Sequence, residues 1–325
     1  MVFLFCFLFL SHAEVPQVDL HLDTPTQLFV KGLSWNSKNG LEAGLSQLKE
    51  GGTNAPVMVL WPSRKTDPVK RVFNLMKIIE KEVARSRQIS LARSPADVRR
   101  IVKEEGVAVI VSMEGAYGLG SEKWQKNLKD LHGRGLSILG LTWSYSNIFA
   151  GSSGDGGKGV TVEGHKLLKL AEELGIVIDV SHASRETTLA VCKGSKVPVI
   201  ASHSDCHAIQ SHPRNLTDEE IRCIAKTGGV IGVNFHAPFV GRGANVKKVA
   251  DHLEHFASVG GYQVVALGSD FDGYIRKPKG LENASKLPDL WKELKSRGWT
   301  QQQLNDLRGE NFLRAWEKVL ESRTR

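Results

Sequence analysis

Three ionisable residues alternate with leucines in the stretch VDLHLDTP, residues 18–25. Asp19, His21 and Asp23 lie two positions apart, and side chains two apart on a β-strand share a face. Imidazole and carboxylate groups are common ligands of divalent metal ions. A bound cation would offset the cost of burying such charges on an otherwise apolar strand. The stretch therefore predicts a metal site.

Further apolar runs end on residues of the same kind. These residues are Glu114, His182, His203 and Asp270. Strand alternation places His182 on the face of Val180, and His203 on the face of Ala201. Three imidazoles with carboxylates and no cysteine suit zinc or a similar divalent ion. Five protein ligands exceed what one catalytic zinc needs, which favours two ions about 3.5–4 Å apart, bridged by a carboxylate and a hydroxide.

Eight apolar, β-branched runs recur along the chain with helical segments between them. The predicted strands are 18–23, 54–60, 106–114, 137–143, 176–182, 197–203, 230–235 and 264–270. Near-continuous apolar runs suit parallel strands covered on both faces. The alternation predicts a TIM-like (β/α)8 barrel, one catalytic domain over residues 14–325, with its catalytic groups at the carboxyl ends of the strands. An open doubly wound sheet is the alternative, but its glycine-rich dinucleotide motif is absent.

Capping residues mark several helix boundaries. Ser94 followed by Pro95 predicts a helix start, and Thr217 with Glu220 predicts a capping box. Gly175 predicts the end of the helix that precedes it.

Three other features concern loops and helix surfaces. The connection 61–105 is expected to hold one or two helices. The glycine-rich segment 151–159 lacks a phosphate-loop pattern and is expected to form a mobile loop over the site. His252 and His255 are predicted to lie on an exposed helix face.

Composition excludes several classes of protein. The chain has 325 residues, 41% of them hydrophobic and 24% charged, as expected of a globular protein. Its 43 basic and 35 acidic residues give a net charge of +8, but the basic residues are spread along the chain and no nucleic-acid-binding motif appears. The four cysteines contain no Cys-x-x-Cys pair, which argues against a thiolate zinc site or a redox pair.

The amino terminus is the one membrane-like segment. The first ten residues, MVFLFCFLFL, are apolar but too few to span a bilayer. Ser11 and Ala13 fit the pattern before a cleavage site, so residues 1–13 are predicted to be a signal peptide. A hydrophobic amino-terminal extension is the alternative. Cleavage would make the protein secreted or periplasmic, and without it the protein would be cytoplasmic.

Seven segments carry a likeness to a known family. They are DLHLDTP, SMEGA, LGLTWSYSNIFAGS, LGIVIDVSHAS, SHSDCHAIQSHPRNLTDEEI, GGVIGVNF and LGSDFDG. In this order and spacing, from about Val18 to Leu320, the chain resembles the membrane dipeptidase (renal dipeptidase) family of binuclear zinc peptidases. The resemblance implies a distorted (β/α)8 barrel and a homodimer as the assembly.

The resemblance also implies a set of ligands for two zinc ions. His21, Asp23 and Glu114 would hold the first ion. Glu114, His182 and His203 would hold the second, so that Glu114 bridges the pair.

Roles for three further residues follow from the same likeness. Asp270 would transfer the proton while a metal-bridging hydroxide attacks the peptide bond of a dipeptide, including one with a C-terminal D-residue. Arg214, in SHPRN, would bind the substrate's C-terminal carboxylate through its planar fork. Tyr145 stands where other members have a histidine that contacts the scissile carbonyl, and its phenol can donate a hydrogen bond to a developing oxyanion.

Supporting residues and rival functions complete these expectations. Asp19, Asp179 and Asp272 are predicted to orient the ligands. A related binuclear hydrolase of lactones, cyclic amides or other small carboxylate-bearing amides is the main alternative, because it would use the same ligands. A binding protein without activity would be expected to have lost a ligand or Asp270, and neither is lost.

Overall fold

Eight parallel strands form a nearly closed barrel in residues 15–323, the part of the chain that the computed structural model describes. A ninth strand, β3, pairs only with β4. The strands are Val18–Leu22 (β1), Ala55–Leu60 (β2), Ile89–Leu91 (β3), Val107–Glu114 (β4), Leu136–Gly140 (β5), Val177–Asp179 (β6), Val199–Ser204 (β7), Ile231–Val233 (β8) and Val265–Leu267 (β9). The order around the barrel is β1-β2-β4-β5-β6-β7-β8-β9. This architecture confirms the predicted fold class, and the predicted signal peptide lies outside the described residues.

The barrel closes beside the candidate site. The backbone N–H of Asp270 donates to the carbonyl of His21 at 3.0 Å, and that of Asp23 donates to Phe271 at 3.0 Å. The first and last strands therefore meet through three predicted site residues, His21, Asp23 and Asp270.

Helices surround the wall and cover its amino-terminal end. They are Thr24–Lys31 (α1), Leu45–Gly51 (α2), Pro68–Ala84 (α3), Pro95–Lys103 (α4), Trp124–Arg134 (α5), Val162–Leu174 (α6), Arg185–Gly194 (α7), Asp218–Thr227 (α8), Ala237–Val240 (α9), Val246–Gly260 (α10), Leu287–Ser296 (α11), Gln301–Asn305 (α12) and Asn311–Ser322 (α13). Within residues 15–323, no helix combines the length and apolar character needed to cross a bilayer.

The predicted helix boundaries are confirmed. Ser94 caps α4 by accepting a hydrogen bond from the Asp97 N–H, and Thr217 with Glu220 forms the capping box of α8. Gly175 ends α6 in the left-handed conformation, at φ 72°, which glycine adopts without steric cost.

Two apolar clusters divide the core. The first draws residues from every barrel strand or its immediate flank and fills the barrel interior. Its strand members are Val18, Leu20, Ala55, Val57, Ala108, Ile110, Ile138, Val177, Ile200, Val230 and Ala266. The second joins the opposite faces of the strands to the helices. Burial of each of these aliphatic side chains stabilises the folded state by roughly 1.5–3 kcal/mol relative to leaving it exposed.

The strand ends differ from the sequence prediction. Strand β6 stops at Asp179 and β9 at Leu267, so His182 and Asp270 lie in turns beyond their strands. The predicted alternation is wrong for His182 and His203, because Val180 and Ala201 belong to the outer cluster. His182 instead turns at φ 66°, and the pairing of β7 with β8 shifts register between residues 201 and 204. Such irregularities re-aim side chains next to active sites.

One further expectation is confirmed and another needs correction. The connection 61–105 contains two helices, α3 and α4, as expected. It also contains the strand β3, which the sequence reasoning missed and whose Ile89 pairs with Val107 of β4. His252 is fully buried: its Nδ1 accepts a hydrogen bond from the Cys206 N–H at 2.9 Å, and its Nε2 lies 3.1 Å from the Val240 carbonyl. The predicted exposed face is therefore wrong for His252, because the ring serves buried backbone groups.

Candidate metal centre

Three imidazoles surround one carboxylate oxygen of Glu114, the last residue of β4. The Oε1 atom lies 2.9 Å from His182 Nε2, 3.3 Å from His203 Nε2 and 3.8 Å from His21 Nε2. These residues come from four different strand ends or following turns. The structure thus brings together segments that lie far apart in the sequence.

Two more carboxylates complete the cluster. Asp23 Oδ2 lies 3.7 Å from His21 Nε2, and ligand atoms of His21, Asp23 and Asp270 all lie within 4.8 Å of one another. A second such group consists of His21, Glu114 and His203. His21 belongs to both groups, so the two groups form one continuous cluster of candidate ligands.

The electrostatics of the cluster fit divalent cations. Burial raises the pKa of Glu114 to about 8 and that of Asp270 to about 7. Burial lowers the pKa of His21, but the nearby carboxylates of Glu114, Asp23 and Asp270 raise it overall, to about 10. A divalent cation would oppose both effects, because it favours ionised carboxylates and needs neutral imidazoles. His21 Nε2 is buried and has no hydrogen-bond partner among the described residues, as expected of a ligand atom.

Local backbone structure holds His182 and Asp270 in place. Both adopt left-handed φ values, 66° and 63°, which are uncommon for non-glycine residues and concentrate at functional sites. The glycine-rich segment 151–159 supports the first, since the Ser153 N–H donates to the His182 carbonyl at 2.9 Å. Asn234 Nδ2 donates to Asp270 Oδ2 at 3.1 Å.

Asn234 is a site residue that the sequence reasoning missed. It directly follows β8, as a polar residue at the end of an apolar run. The rule that identified Glu114 would have found it too. Gly273 is a second omission, because a Cβ there would lie 2.2 Å from Asp270 Oδ1 and 2.8 Å from Asp23 Oδ2. A side chain at position 273 would therefore collide with both carboxylates, so the site needs glycine there.

The predicted supporting carboxylates lie beneath and beside the cluster. Asp19 accepts hydrogen bonds from the backbone N–H and the hydroxyl of Ser269, at 2.9 and 2.6 Å, and burial raises its pKa to about 6. Asp272 accepts from Thr24 Oγ1 at 2.7 Å and the Glu42 N–H at 2.7 Å. These bonds fix the loops that follow β9 and β1.

Arg214 is buried against the backbone of His203. Its Nη1 donates to Ser204 Oγ at 2.9 Å, and its Nη2 donates to the His203 carbonyl at 2.8 Å. Its Nε has no hydrogen-bond partner among the described residues. Burial lowers the pKa of the guanidinium, while the charges of Glu114 and Asp270 act in the opposite direction. A positive group with a free donor therefore stands beside the metal cluster.

Tyr145 lies at the rim and not among the clustered ligands. Its side chain is 45% exposed, and the Arg64 guanidinium lies 4.5 Å from its ring. Trp143 connects it to the cluster, with ring centroids 5.9 Å from Tyr145 and 6.4 Å from His182. The residue is therefore exposed beside the cluster, and its catalytic role stays a prediction.

Comparison with known proteins identifies a family and related sequences. The family model for membrane dipeptidases, peptidase family M19, matches residues 10–325. The dipeptidase verJ of Clonostachys rogersoniana is 29% identical over 335 residues, which cover 95% of this chain and 85% of that protein.

Solved structures share the fold. A metallopeptidase from Rhodobacter sphaeroides, crystallised with a phosphinate mimic of the dipeptide L-Ala-D-Ala, has a TM-score of 0.87 at 25% identity, covering 94% of this chain and 99% of that one. The probable dipeptidase PvdM from Pseudomonas aeruginosa has a TM-score of 0.88 at 21% identity, covering 95% and 96%. At that identity the second likeness concerns the fold alone.

Proposed function

Because the chain belongs to the membrane dipeptidase family, peptidase family M19, we propose that it hydrolyses dipeptides with a pair of zinc ions held around Glu114. The observation that carries the proposal is the set of three imidazole nitrogens at 2.9, 3.3 and 3.8 Å from one Glu114 oxygen. A carboxylate in that position can serve two ions at once. Nitrogen and oxygen ligands without cysteine suit zinc.

Each ion would have its own ligands besides the shared carboxylate. His21 and Asp23 would hold one ion with Glu114, and His182 and His203 would hold the other. Bound ions would polarise the peptide carbonyl and lower the pKa of a water molecule so that it becomes a nucleophile near neutral pH.

Asp270 is the group that we assign to proton transfer. Its carboxylate lies in the same cluster as His21 and Asp23, and Asn234 fixes its orientation through Oδ2. It would take a proton from the attacking water and deliver it to the departing amine. A carboxylate held within hydrogen-bond reach of both groups satisfies the geometric requirement for a general base and acid.

Arg214 is the group that we assign to the substrate's C-terminal carboxylate. Its buried charge, its free Nε and its contact with the His203 carbonyl support this role. A guanidinium at a fixed distance from the metal cluster would accept dipeptides and exclude longer peptides, whose carboxylate would lie too far away. The R. sphaeroides relative binds a mimic of a dipeptide with a C-terminal D-residue, and we extend that tolerance to this chain.

Metal analysis paired with turnover tests the proposal. We expect about two zinc ions per chain and hydrolysis of free dipeptides, with slow hydrolysis of tripeptides and of dipeptides amidated at the C-terminus. A panel of lactones and cyclic amides is the control for the rival hydrolase. Turnover of that panel without turnover of any dipeptide would contradict the assignment.

A further inference from the structure

We propose that Ser202 is a positioning residue that fixes the imidazoles of both halves of the metal centre through one hydroxyl. The inference rests on the proposed metal centre and goes beyond it, because it concerns a residue outside the ligand set. In this arrangement, Nδ1 carries the ring proton of His203 and of His21.

The Ser202 hydroxyl lies between a carboxylate and two candidate ligands. Its Oγ donates to Asp179 Oδ2 at 2.5 Å. The same Oγ is 2.8 Å from His203 Nδ1 and 3.5 Å from His21 Nδ1. In the proposed centre, His203 and His21 belong to different ions, so this hydroxyl contacts both halves.

Hydrogen-bond accounting determines the direction of these contacts. A hydroxyl has one hydrogen and two acceptor lone pairs. The short contact to the Asp179 carboxylate, which can only accept when ionised, takes the hydrogen. The Ser202 oxygen can then only accept, so Nδ1 of His203 must carry the ring proton. Nε2 is left with its lone pair inside the cluster, 3.1 Å from His182 Nε2 and 3.3 Å from Glu114 Oε1. His21 Nδ1 lies at the limit of hydrogen-bond length from the same oxygen, 3.5 Å, and the same accounting favours a proton on it.

Asp179 is itself fixed by backbone groups. Its Oδ1 accepts from the N–H of Ser181 and from the N–H of Ser202, both at 2.9 Å. Asp179 and Ser202 are 5% and 1% exposed, so water does not compete for these bonds. The His203 N–H donates to Ser181 Oγ at 3.0 Å, which holds the backbone of the ligand in register with the same network.

The first test measures metal affinity in the Ser202→Ala variant. Loss of a group that orients a metal-bound histidine costs about 10- to 100-fold in affinity. We expect a loss in that range for the ion that His203 holds, and a smaller one for the ion that His21 holds, because its contact is longer. Competition with a chromophoric chelator resolves the two steps. Ser202→Thr keeps the hydroxyl and should recover affinity. Ser137→Ala is the matched control, because Ser137 is a buried serine on β5 whose hydroxyl donates to the Gly135 carbonyl.

The Asp179→Asn variant tests the direction of the Ser202 hydrogen bonds. In Asp179→Asn, the amide oxygen is needed by the two backbone N–H groups, so the amide nitrogen faces Ser202 and donates to it. The serine hydrogen then turns towards His203 Nδ1 and favours the tautomer that cannot bind metal through Nε2. We expect a larger loss of affinity than in Ser202→Ala.

A third measurement does not depend on catalysis. With ¹⁵N-labelled histidine, ring nitrogen spectra of the zinc-loaded protein should show His203 and His21 protonated at Nδ1, and Ser202→Ala should accelerate exchange of those protons with water. Unchanged affinity and exchange in Ser202→Ala, or an Nε2-protonated His203, would overturn the inference. A protein that binds two ions and responds to Ser202→Ala but cleaves no dipeptide would remove the proposed function alone.

Discussion

The two ends of the barrel differ in the kinds of side chain that they bury. At the amino-terminal end, apolar residues fill the interior, and α13 covers the loops into β8 and β9, where Arg314 donates to the Gly228 and Gln263 carbonyls at 2.9 Å. At the carboxyl-terminal end, His21 Nε2 and Arg214 Nε are buried without a hydrogen-bond partner among the described residues. The comparison teaches that apolar packing stabilises one end, whereas the other end gathers imidazoles and carboxylates in one cluster.

Backbone conformation separates the two ends as well. Of the five described non-glycine residues with positive φ, Asp270 and His182 are candidate site residues, and Asp272 and Tyr274 lie in the same loop as Asp270. Such conformations cost of order 1–3 kcal/mol each and persist where the surroundings enforce them. Four of the five lie at the mouth, and the fifth, Glu105, lies two residues before β4 at the other end.

The largest effect on function is expected from Glu114→Gln. All three imidazoles surround this side chain, so the change should weaken both ions at once and reduce dipeptide hydrolysis to background. Metal content by mass spectrometry and turnover are the measurements. Glu220→Gln, a buried carboxylate in the capping box of α8, is the control and should retain both ions. Full occupancy in Glu114→Gln would refute the bridging assignment.

Asp270→Asn should separate chemistry from metal binding. The substitution keeps the shape of the side chain but removes its ability to accept a proton. We expect kcat to fall by about 10²- to 10⁴-fold while the metal content stays near that of the wild type. An unchanged kcat would exclude Asp270 from proton transfer.

Tyr145→Phe should show whether the rim contributes to catalysis. Only the hydroxyl is removed, and loss of an oxyanion donor costs about 10²- to 10³-fold in kcat. A change in KM alone would instead limit Tyr145 to contact with the substrate. Tyr262→Phe, a half-exposed tyrosine on the opposite end of the barrel beside Trp299, is the control.

Arg214→Lys should weaken recognition of the substrate's carboxylate. The charge remains, but the fork is lost, and a hydrogen bond to a charged group contributes about 1.5–3 kcal/mol. Because about 1.4 kcal/mol corresponds to a factor of ten, kcat/KM should fall by roughly 10- to 150-fold for free dipeptides. Dipeptides amidated at the C-terminus should lose much less. An equal loss for both substrates would place Arg214 elsewhere in the mechanism.

The smallest effect on function is expected from Leu313→Ala on α13, at the amino-terminal end. This buried side chain belongs to the interior cluster, and its truncation should cost about 2–5 kcal/mol of unfolding free energy. Metal affinity and kcat/KM of the folded variant should remain close to the wild-type values. Denaturant unfolding and turnover on the same sample check both statements, and a parallel loss of metal would mean that the two ends are not independent.

Much of the fold and of the ligand cluster could be predicted from the sequence. Apolar runs separated by amphipathic helices determine the barrel, because covered parallel strands need both. Glu114 was identified because a charged residue at the end of such a run has one favourable place, the mouth. Capping residues such as Ser94 and Thr217 were readable because they act on neighbours three positions away.

The remaining features depend on contacts that no local pattern contains. The alternation failed at His182 and His203 because a left-handed residue and a register shift redirect the chain. His252 was misjudged because its partner, Cys206, lies 46 residues away. Ser202 was not identified because its contact with His21 spans 181 residues. Such residues are distinguished only when the strands are assembled.

Anomalous diffraction at the zinc edge, from crystals of the zinc-loaded protein, tests the central claim most directly. The account predicts two peaks about 3.5–4 Å apart, one on each side of Glu114, with His21 and Asp23 at one peak and His182 and His203 at the other. A single peak, or peaks away from Glu114, would contradict it.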